Sequence, residues 1–476
     1  MPSVSFNPAA GRSVADDRAR ATWLLQMLNF FMADMQAGIG PFLGVFLQQH
    51  GWAPGPIGSV MTAGGVTGML MAAPAGAFID HTDKKRWLVG ITGVCTVLAA
   101  FLILFSQSGL VVTASQVATT VAGAAIGPAV TGITLGVVRQ RGFNAQNGRN
   151  QAWNHAGNMV GAALSGWLGY QFGMSAIFYL MAGFGVMAII SVLSIPERAI
   201  DHQAARGLER GDDAEAVGQA EGFRQVLRNK PMLVLAAALA SFHLGNGAML
   251  PLYSLAVVGE GKGNPALFTA QTVVVAQAIM IVASILAMRM AARGGYWLVL
   301  LIAFATLPVR GLLAGTFIEQ WGVWPVQALD GIGAGLQSVA VPGLVACLLN
   351  GTGRVNAGQG AVMTLQSAGG SLSPVLGGWL AQILGYQVTF YLLGSFALVS
   401  VGLWIGFAGM LRPACTGISR AGASGTVLPG TTSVGEKVSR KAPAAGISLV
   451  SATDVSAGIA ATACAATACP ARRRGC

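Results

Sequence analysis

Twelve apolar stretches, each long enough to cross a lipid bilayer as a helix, constrain this chain more than any other feature. A hydrocarbon core about 30 Å thick takes roughly 20 helical residues. The stretches run at about 21–46, 56–79, 87–105, 110–138, 150–171, 174–195, 232–258, 266–292, 296–317, 323–349, 358–384 and 386–411. They are too long for the strands of a membrane barrel, and they lack the period-two alternation such strands require. Charged residues make up only 9% of the 476-residue chain and hydrophobic residues 54%. A soluble domain carries about 25% charged residues, so a soluble enzyme, a nucleic-acid-binding protein and a disordered chain are all excluded. The 66 glycines follow no collagen period, and small residues at this density suit close helix packing in lipid.

The net charge of +11 is spread through short loops and a tail rather than over one folded face. In a membrane protein such charge sets orientation. With the N-terminus in the cytoplasm, the inner segments collect Arg12, Arg18 and Arg20, then Lys84, Lys85 and Arg86, then Arg139, Arg141 and Arg149, while the outer loops hold Lys262 alone. This bias predicts a multi-pass protein of the cytoplasmic (inner) membrane with both termini inside. The first twenty residues are polar and contain no apolar run of the kind a cleavable signal needs. None of the six cysteines forms a Cys-x-x-Cys pair, so neither a disulfide framework nor a metal site is expected.

The two halves of the sequence repeat. A shift of 212 residues places Gly148 on Gly360, Gly157 on Gly369, Gly166-Trp167-Leu168 on Gly378-Trp379-Leu380, Gly173 on Gly385 and Phe178-Tyr179-Leu180 on Phe390-Tyr391-Leu392. A shift of 210 places Trp87-Leu88-Val89 on Trp297-Leu298-Val299 and Pro41 on Pro251. Parallel repeats of this kind set a cleft between two bundles. The expected organisation is a cytoplasmic N-terminal segment (1–20), an N-terminal six-helix bundle (21–195), a polar cytoplasmic loop (196–231), a C-terminal six-helix bundle (232–411) and a disordered cytoplasmic tail (412–476). The fold class is an all-α integral membrane protein of twelve transmembrane helices in two pseudo-symmetric bundles.

Between the second and third stretches the chain reads Gly76-Ala77-Phe78-Ile79-Asp80-His81-Thr82-Asp83-Lys84-Lys85. This resembles the loop motif of the major facilitator superfamily, Gly-x-x-x-Asp-(Arg/Lys)-x-Gly-(Arg/Lys)-(Arg/Lys). Gly76, Asp80, Lys84 and Lys85 match, whereas His81 and Asp83 depart from it. The resemblance implies the family's two-bundle fold, a transport activity, and a cytoplasmic gate at Gly76, Asp80, Lys84 and Lys85. The fifth stretch, Gly161-Ala162-Ala163-Leu164-Ser165-Gly166, only partly resembles the Gly-Pro-x-x-Gly-Gly bend of drug antiporters.

Ionisable side chains at bilayer depth are costly, so each is a functional candidate. Asp34 and His243 fall near mid-membrane in the first and seventh stretches, and His155 in the inner half of the fifth. Asp34 has no Lys or Arg at its depth. Burial without a cation disfavours the charged carboxylate, which makes Asp34 the candidate for proton coupling, with His243 its counterpart across the cleft. Arg310 and Asp330 lie about equally far from the loop that joins their helices, so they are expected to form an ion pair.

Asn29 and Gln36 share a helix face, and the repeat places Gln36 on Asn246 and Asn154 on Gln366. Asn29, Gln36, Asn154, His155, Asn246 and Gln366 are therefore candidates for a substrate cavity. Asp34 is expected to project away from the Asn29/Gln36 face. No phosphate-binding Gly-x-x-x-x-Gly-Lys-(Ser/Thr) loop and no His-Glu-x-x-His helix occurs. The expectation is a secondary transporter of a small solute driven by protons, acting in the bilayer as a monomer, without nucleic acid, cofactor, metal or catalytic residue. The alternatives are a uniporter or exchanger, and a non-transporting receptor on the same fold.

Overall fold

The computed structural model describes residues 8–37, 39–201, 203–206, 229–349 and 355–415; the side chains of Gln36 and Asp80 and the whole tail beyond 415 lie outside this set. The described residues form fifteen α-helices and three short 3-10 turns, with no strand among them. In chain order these are α1 (Pro8–Ala37), α2 (Gly40–Gln49), α3 (Pro54–His81), α4 (Lys85–Phe105), α5 (Gly109–Ala124), α6 (Ile126–Phe172), α7 (Ala176–Leu193), α8 (Lys230–Asn246), α9 (Met249–Gly259), α10 (Pro265–Gly294), α11 (Tyr296–Thr316), α12 (Val323–Leu348), α13 (Val355–Leu384), α14 (Tyr386–Gly406) and α15 (Ala408–Cys415).

Helix starts follow local chemistry. Asn229 accepts a hydrogen bond from the Met232 amide and Asn264 from those of Ala266 and Leu267, with Pro231 and Pro265 in the first turns behind them. A side-chain acceptor satisfies amides that the helix leaves unpaired, and proline there gives up no bond. Arg139 takes φ 57° and ψ 176° and divides α6 into an arm that completes the fourth stretch and an arm, 140–172, that forms the fifth.

Ten of the described helical segments are long and apolar enough to cross a membrane. The twelve stretches expected from sequence all fall on helices, but the second arm of α6 and helix α13 are not among those ten. Both carry polar side chains through their length, among them Gln146, Asn150, Asn154 and Asn158 on one and Gln359, Thr364 and Gln366 on the other. The first and seventh stretches are broken, at the α1/α2 and α8/α9 junctions. Large apolar side chains such as Leu98 (63% exposed), Phe105 (85%) and Ile383 (72%) cover the outside of the bundle. That surface belongs against lipid, since water would expel it.

The sequence repeat reappears as repeated geometry. A Cβ at Gly157 would strike the Phe30 carbonyl, and one at Gly369 would strike the Ala240 carbonyl. The fifth stretch thus crosses the first as the eleventh crosses the seventh, backbone against backbone. Gly173 (φ 86°, ψ 163°) and Gly385 (φ 79°, ψ 163°) close their helices in the same left-handed conformation. Gly51 and Gly261 share positive φ, at 83° and 70°.

The segment expected as the start of a polar loop is instead docked. Ala199, Ile200, Ala204 and Ala205 are buried, and the Asp201 amide donates to the Gly136 carbonyl at 3.0 Å. The Asp201 carboxylate accepts from the amides of Ala204 and Gln203 and from Arg139 at the kink. The Ala204 amide first, then the Gln203 amide and the Arg139 cation, hold this carboxyl below its ordinary value. The contact therefore persists above that value and is lost only as pH falls through the lower, folded one.

Helices α8, α11 and α12 are joined by a buried polar network. Arg310 Nη1 donates to Asp330 Oδ1 at 2.7 Å and to Asn246 Oδ1 at 2.6 Å, while Nη2 donates to Gln327 Oε1 at 3.0 Å. Asn246 Nδ2 returns a bond to Asp330 Oδ1 at 3.2 Å. Arg310 is 1% exposed and Asp330 15%. Removing one partner of such a pair costs about 3–5 kcal/mol because the other charge stays buried, whereas removing both costs less. Arg310→Gln and Asp330→Asn should each lower thermal stability in detergent more than the double variant does. Strictly additive losses would show that the pair is not coupled.

Candidate functional site

The break between α1 and α2 lies beside the one acidic residue buried near the middle of the first stretch. Asp34 is 2% exposed. Its carboxyl rests on Gly161 of α6, where an added Cβ would meet Asp34 Oδ1 and lie 2.7 Å from Cγ. Glycine is thus what admits the carboxyl at this crossing. Asp34 Oδ2 has no hydrogen-bond partner.

Next to it is a cavity of about 180 Å³ lined by Asp34, Pro41, Phe42, Asn158, Ala162, Leu250, Val273 and Gln277. The lining comes from α1, α2, α6, α9 and α10, so both halves of the sequence contribute. Gln277 Oε1 is also buried without a partner; His155, expected at the cavity, stands beside Gln277 but is not on the lining. A larger groove of about 610 Å³ on α8, α13 and α14 is walled by residues such as Leu372, Trp379 and Ile383 and has no polar side chain in its lining.

The other sequence candidates are distributed differently from expectation. Asp34 was expected to project away from the Asn29/Gln36 face, and it is Asp34 rather than Asn29 that lines the cavity, because the Asn29 side chain bonds back to its own helix while the Asp34 carboxyl meets Gly161 at the crossing with α6. Asn29 donates to the Leu25 carbonyl of its own helix at 2.8 Å. Asn154 donates to the Asn29 carbonyl at 3.2 Å and accepts from Asn158 at 3.4 Å. Asn29 and Asn154 therefore tie α1 to α6 and do not line the cavity. Asn246 belongs to the Arg310 network. His243 Nε2 pairs with Gln337 Oε1 at 3.2 Å, inside the C-terminal half, and is absent from the lining of the Asp34 cavity. Gln366 is half-buried on α13, off that lining. The Gln36 side chain is outside the described residues. Gln277 and Asn158 complete the cavity; Gln277 escapes sequence reading because it shares its helix with Gln271 at a spacing of six, which sets the two on different faces and makes no polar stripe.

One end of the seam between the halves is sealed. The Gly55 amide donates to Gln382 Oε1 at 3.1 Å, the Val375 amide to Thr62 Oγ1 at 2.9 Å, and Trp379 Nε1 to Ser59 Oγ at 3.0 Å. Gln48 Nε2 donates to the Leu255 carbonyl at 3.2 Å. Gly58 packs on the Pro374 carbonyl so closely that a Cβ would collide with it. At the other end the same two helices are uncovered. Ala72, Ala73, Pro74 and Phe78 of α3 and Met363 and Ser367 of α13 are exposed, and nothing lies within 4 Å of a Cβ at Gly76.

In the motif that follows Gly76, the Asp80 side chain is outside the described residues and Lys84 is exposed. Lys85 is 3% exposed, with Nζ donating to the carbonyls of Ile79 at 2.5 Å and Thr82 at 3.0 Å. A cation on the last carbonyls of α3 satisfies acceptors the helix leaves open and opposes the negative end of its dipole.

Comparison with known proteins agrees with this architecture. The Major Facilitator Superfamily profile matches residues 22–374. Uncharacterized MFS-type transporters of Mycobacterium tuberculosis, from strains CDC 1551 and H37Rv, are 34% identical over 380 residues, covering 79% of this chain and 90% of each relative. Among solved structures, the nucleoside transporter NupG superposes with a TM-score of 0.66 at 13% identity, over 83% of this chain and 98% of its own. A bacterial homolog of the human lysosomal transporter Spinster, in an inward-facing and unoccupied conformation, superposes with a TM-score of 0.62 at 12% identity, over 84% and 98%. The chain belongs to the major facilitator superfamily, and it is a multi-pass, non-enzymatic secondary transporter of that fold.

Proposed function

We propose that the chain carries a small solute across the inner membrane by alternating access between two six-helix bundles, residues 21–195 and 232–411, driven by protons through Asp34. The described conformation is the one open to the cytoplasm. The observation that carries this reading is the seam. Helices α3 and α13 are packed and hydrogen-bonded at one end and uncovered at the other, with a cavity lined from both halves between them. The excess of Lys and Arg on the loops at the uncovered end supports placing that end in the cytoplasm. Two further features support the twelve-span arrangement. The repeat-related crossings Gly157/Phe30 and Gly369/Ala240 match, and the two helices outside the ten apolar segments carry their polar side chains inside the bundle rather than in loops.

The sealed end uses contacts that opening must break: the four hydrogen bonds above and close glycine contacts, among them Gly58 on the Pro374 carbonyl and Gly378 on that of Pro54. Gly76, at the uncovered end, has the free space that a closing gate requires. Asp34 sits where both halves meet and has no cation beside it, so a proton is the least costly way to keep it buried. When the cavity opens to water the carboxylate ionises without that cost, which ties proton transfer to bundle movement.

Gly58→Val should force the sealed end apart by placing side-chain atoms on the Pro374 carbonyl. A cysteine at Ser371, in an otherwise cysteine-free chain, should then react with an impermeant maleimide added outside, and remain protected when Gly58 is intact. Equal protection in both chains would remove this contact from the gate.

Asp34→Asn should abolish solute accumulation against a gradient in proteoliposomes and retain exchange at zero gradient, since the amide mimics the protonated acid. Accumulation at the normal rate with normal pH dependence would take Asp34 out of the coupling.

A further inference from the structure

The cavity between the halves presents acceptors and offers no cation. Asp34 Oδ2 and Gln277 Oε1, both on the lining, are buried without partners. Asn158 has its Nδ2 committed to Asn154, which leaves its Oδ1 as the group available toward the cavity. No Lys or Arg is in the lining, and the buried Arg310 is held by Asp330, Asn246 and Gln327. The glutamine can reverse its donor and acceptor roles. The ionised carboxylate cannot, so Asp34 fixes the sign of what complements the site.

We infer that the solute is a small organic ammonium: an amine whose N–H donors and positive charge lie on Asp34, and whose apolar body fills the opposite wall. This rests on the transporter reading above and adds the substrate class to it. An anion or a solute without donors has nothing to take the proton's place on the carboxylate, so it could meet Asp34 only in the neutral form of the acid and would displace no proton. An inorganic cation does not fit as well. Ca²⁺ or Mg²⁺ takes a cage of about six oxygens, whereas three oxygen-bearing side chains line this cavity and Pro41, Phe42, Ala162, Leu250 and Val273 form the rest. A volume of about 180 Å³ is below the range of drug-sized sites, so the body is small.

The proton balance follows from the geometry. In the empty cavity the carboxyl of Asp34 keeps its proton. When the ammonium arrives, that proton passes to cavity water and the N⁺–H groups take its place on the carboxylate. Cation and proton therefore exclude one another at one atom pair, and their exchange across the membrane is linked one for one. Among the described residues Asp34 is the titratable group on the lining, and His155 stands beside Gln277, off that lining.

The test uses the full-length protein in lipid nanodiscs, with phenethylamine and n-butylamine as probes. Phenethyl alcohol, phenylacetate and sodium chloride serve as the neutral, anionic and inorganic comparisons. Binding is read by thermal stabilisation and by proton release into weakly buffered solution. At least one amine should stabilise the protein and release about one proton for each molecule bound, because one carboxyl exchanges its proton for the ligand's charge. Asp34→Asn, which keeps the shape of the side chain, should remove the proton release and weaken the amine by about tenfold or more, the scale of one lost ion pair in a buried site. Gln277→Ala should weaken the amine and keep the proton release per molecule bound.

The inference is overturned if neither amine stabilises the protein, or if the alcohol or the acid binds as tightly as the amines. It is equally overturned if sodium alone gives the same Asp34-dependent effect, or if amine binding survives Asp34→Asn. Failure of the substrate class and failure of the transport reading are separable. Accumulation of a neutral or anionic solute by proteoliposomes would sink the ammonium and leave transport standing. A Ser371 cysteine that stays protected under every gradient and with every ligand would sink alternating access, whatever the cavity binds.

Discussion

Close backbone contact at glycine is the interaction on which the rest of this structure depends. In lipid, apolar side chains gain nothing by leaving their surroundings for one another, so helices associate through packing and polar contacts. Here the approach is set by glycines laid on carbonyl oxygens of neighbouring helices: Gly157 on Phe30, Gly369 on Ala240, Gly245 on Leu393, Gly331 on Ala276 and Gly335 on Met280. At each, a Cβ would occupy the space of a backbone atom. These crossings bring the helices near enough for Ser400 to reach the Ala238 carbonyl and for Asn154 to reach that of Asn29. The same device serves two ends. Within a half it makes permanent contacts. Between halves, at Gly58 on Pro374, it makes a contact with no side chains to disentangle, which suits a seam that has to part.

Much of this was legible in the sequence, for definite reasons. Apolar length identifies a membrane helix because the bilayer fixes the length, and a repeat with shared tryptophans and glycines survives because each half has to solve the same packing problem. Gly173 and Gly385 could be aligned by eye, and they adopt the same backbone conformation. The Arg310–Asp330 juxtaposition was legible as well, since two residues equally far from a short connecting loop reach the same depth. What the sequence concealed was which face of a helix meets the cavity. Helical periodicity places Asp34 away from Asn29, and α1 keeps that phase up to Ala37, but nothing in the pattern says that Asp34 lines the cavity while Asn29 bonds back to its own helix. Lys85 was hidden for another reason. A basic residue in a short inner loop reads as orientation charge, and nothing in the pattern says that its ammonium folds back onto the carbonyls of Ile79 and Thr82.

The two halves handle buried charge in opposite ways. In the C-terminal half Arg310 is held by a carboxylate and two amides drawn from three other positions, so its charge is compensated inside one rigid group of helices. Such a network resists change, because moving any helix in it exposes a cost of several kcal/mol. Asp34 has none of this support. Its carboxyl touches a glycine, one oxygen lacks a partner, and the cavity beside it is shared with the opposite half. A charge compensated within one half is indifferent to the position of the other. A charge at the seam is not, and its environment changes whenever the halves move.

That asymmetry also accounts for the repeat's departures from itself. The shift of 210 places Asp34 on Leu244, and the shift of 212 places Gly161 on Ser373. In the C-terminal half the equivalent crossing is therefore filled by an apolar side chain and a hydroxyl, and Ser373 Oγ accepts the Ala248 amide at the α8/α9 break. The broken helix of one half is pinned at its break by a neighbour's hydroxyl. The broken helix of the other half has in that place a glycine, which supplies no bond and leaves room for a carboxyl. A duplicated bundle with two pinned breaks would be a stable scaffold with no titratable group at its seam. Seating Asp34 beside the α1/α2 break places the carboxyl, that helix junction and the cavity within about one turn of each other, which is the arrangement the proposed coupling needs: charge on Asp34 would then bear directly on the junction and on the opposite half.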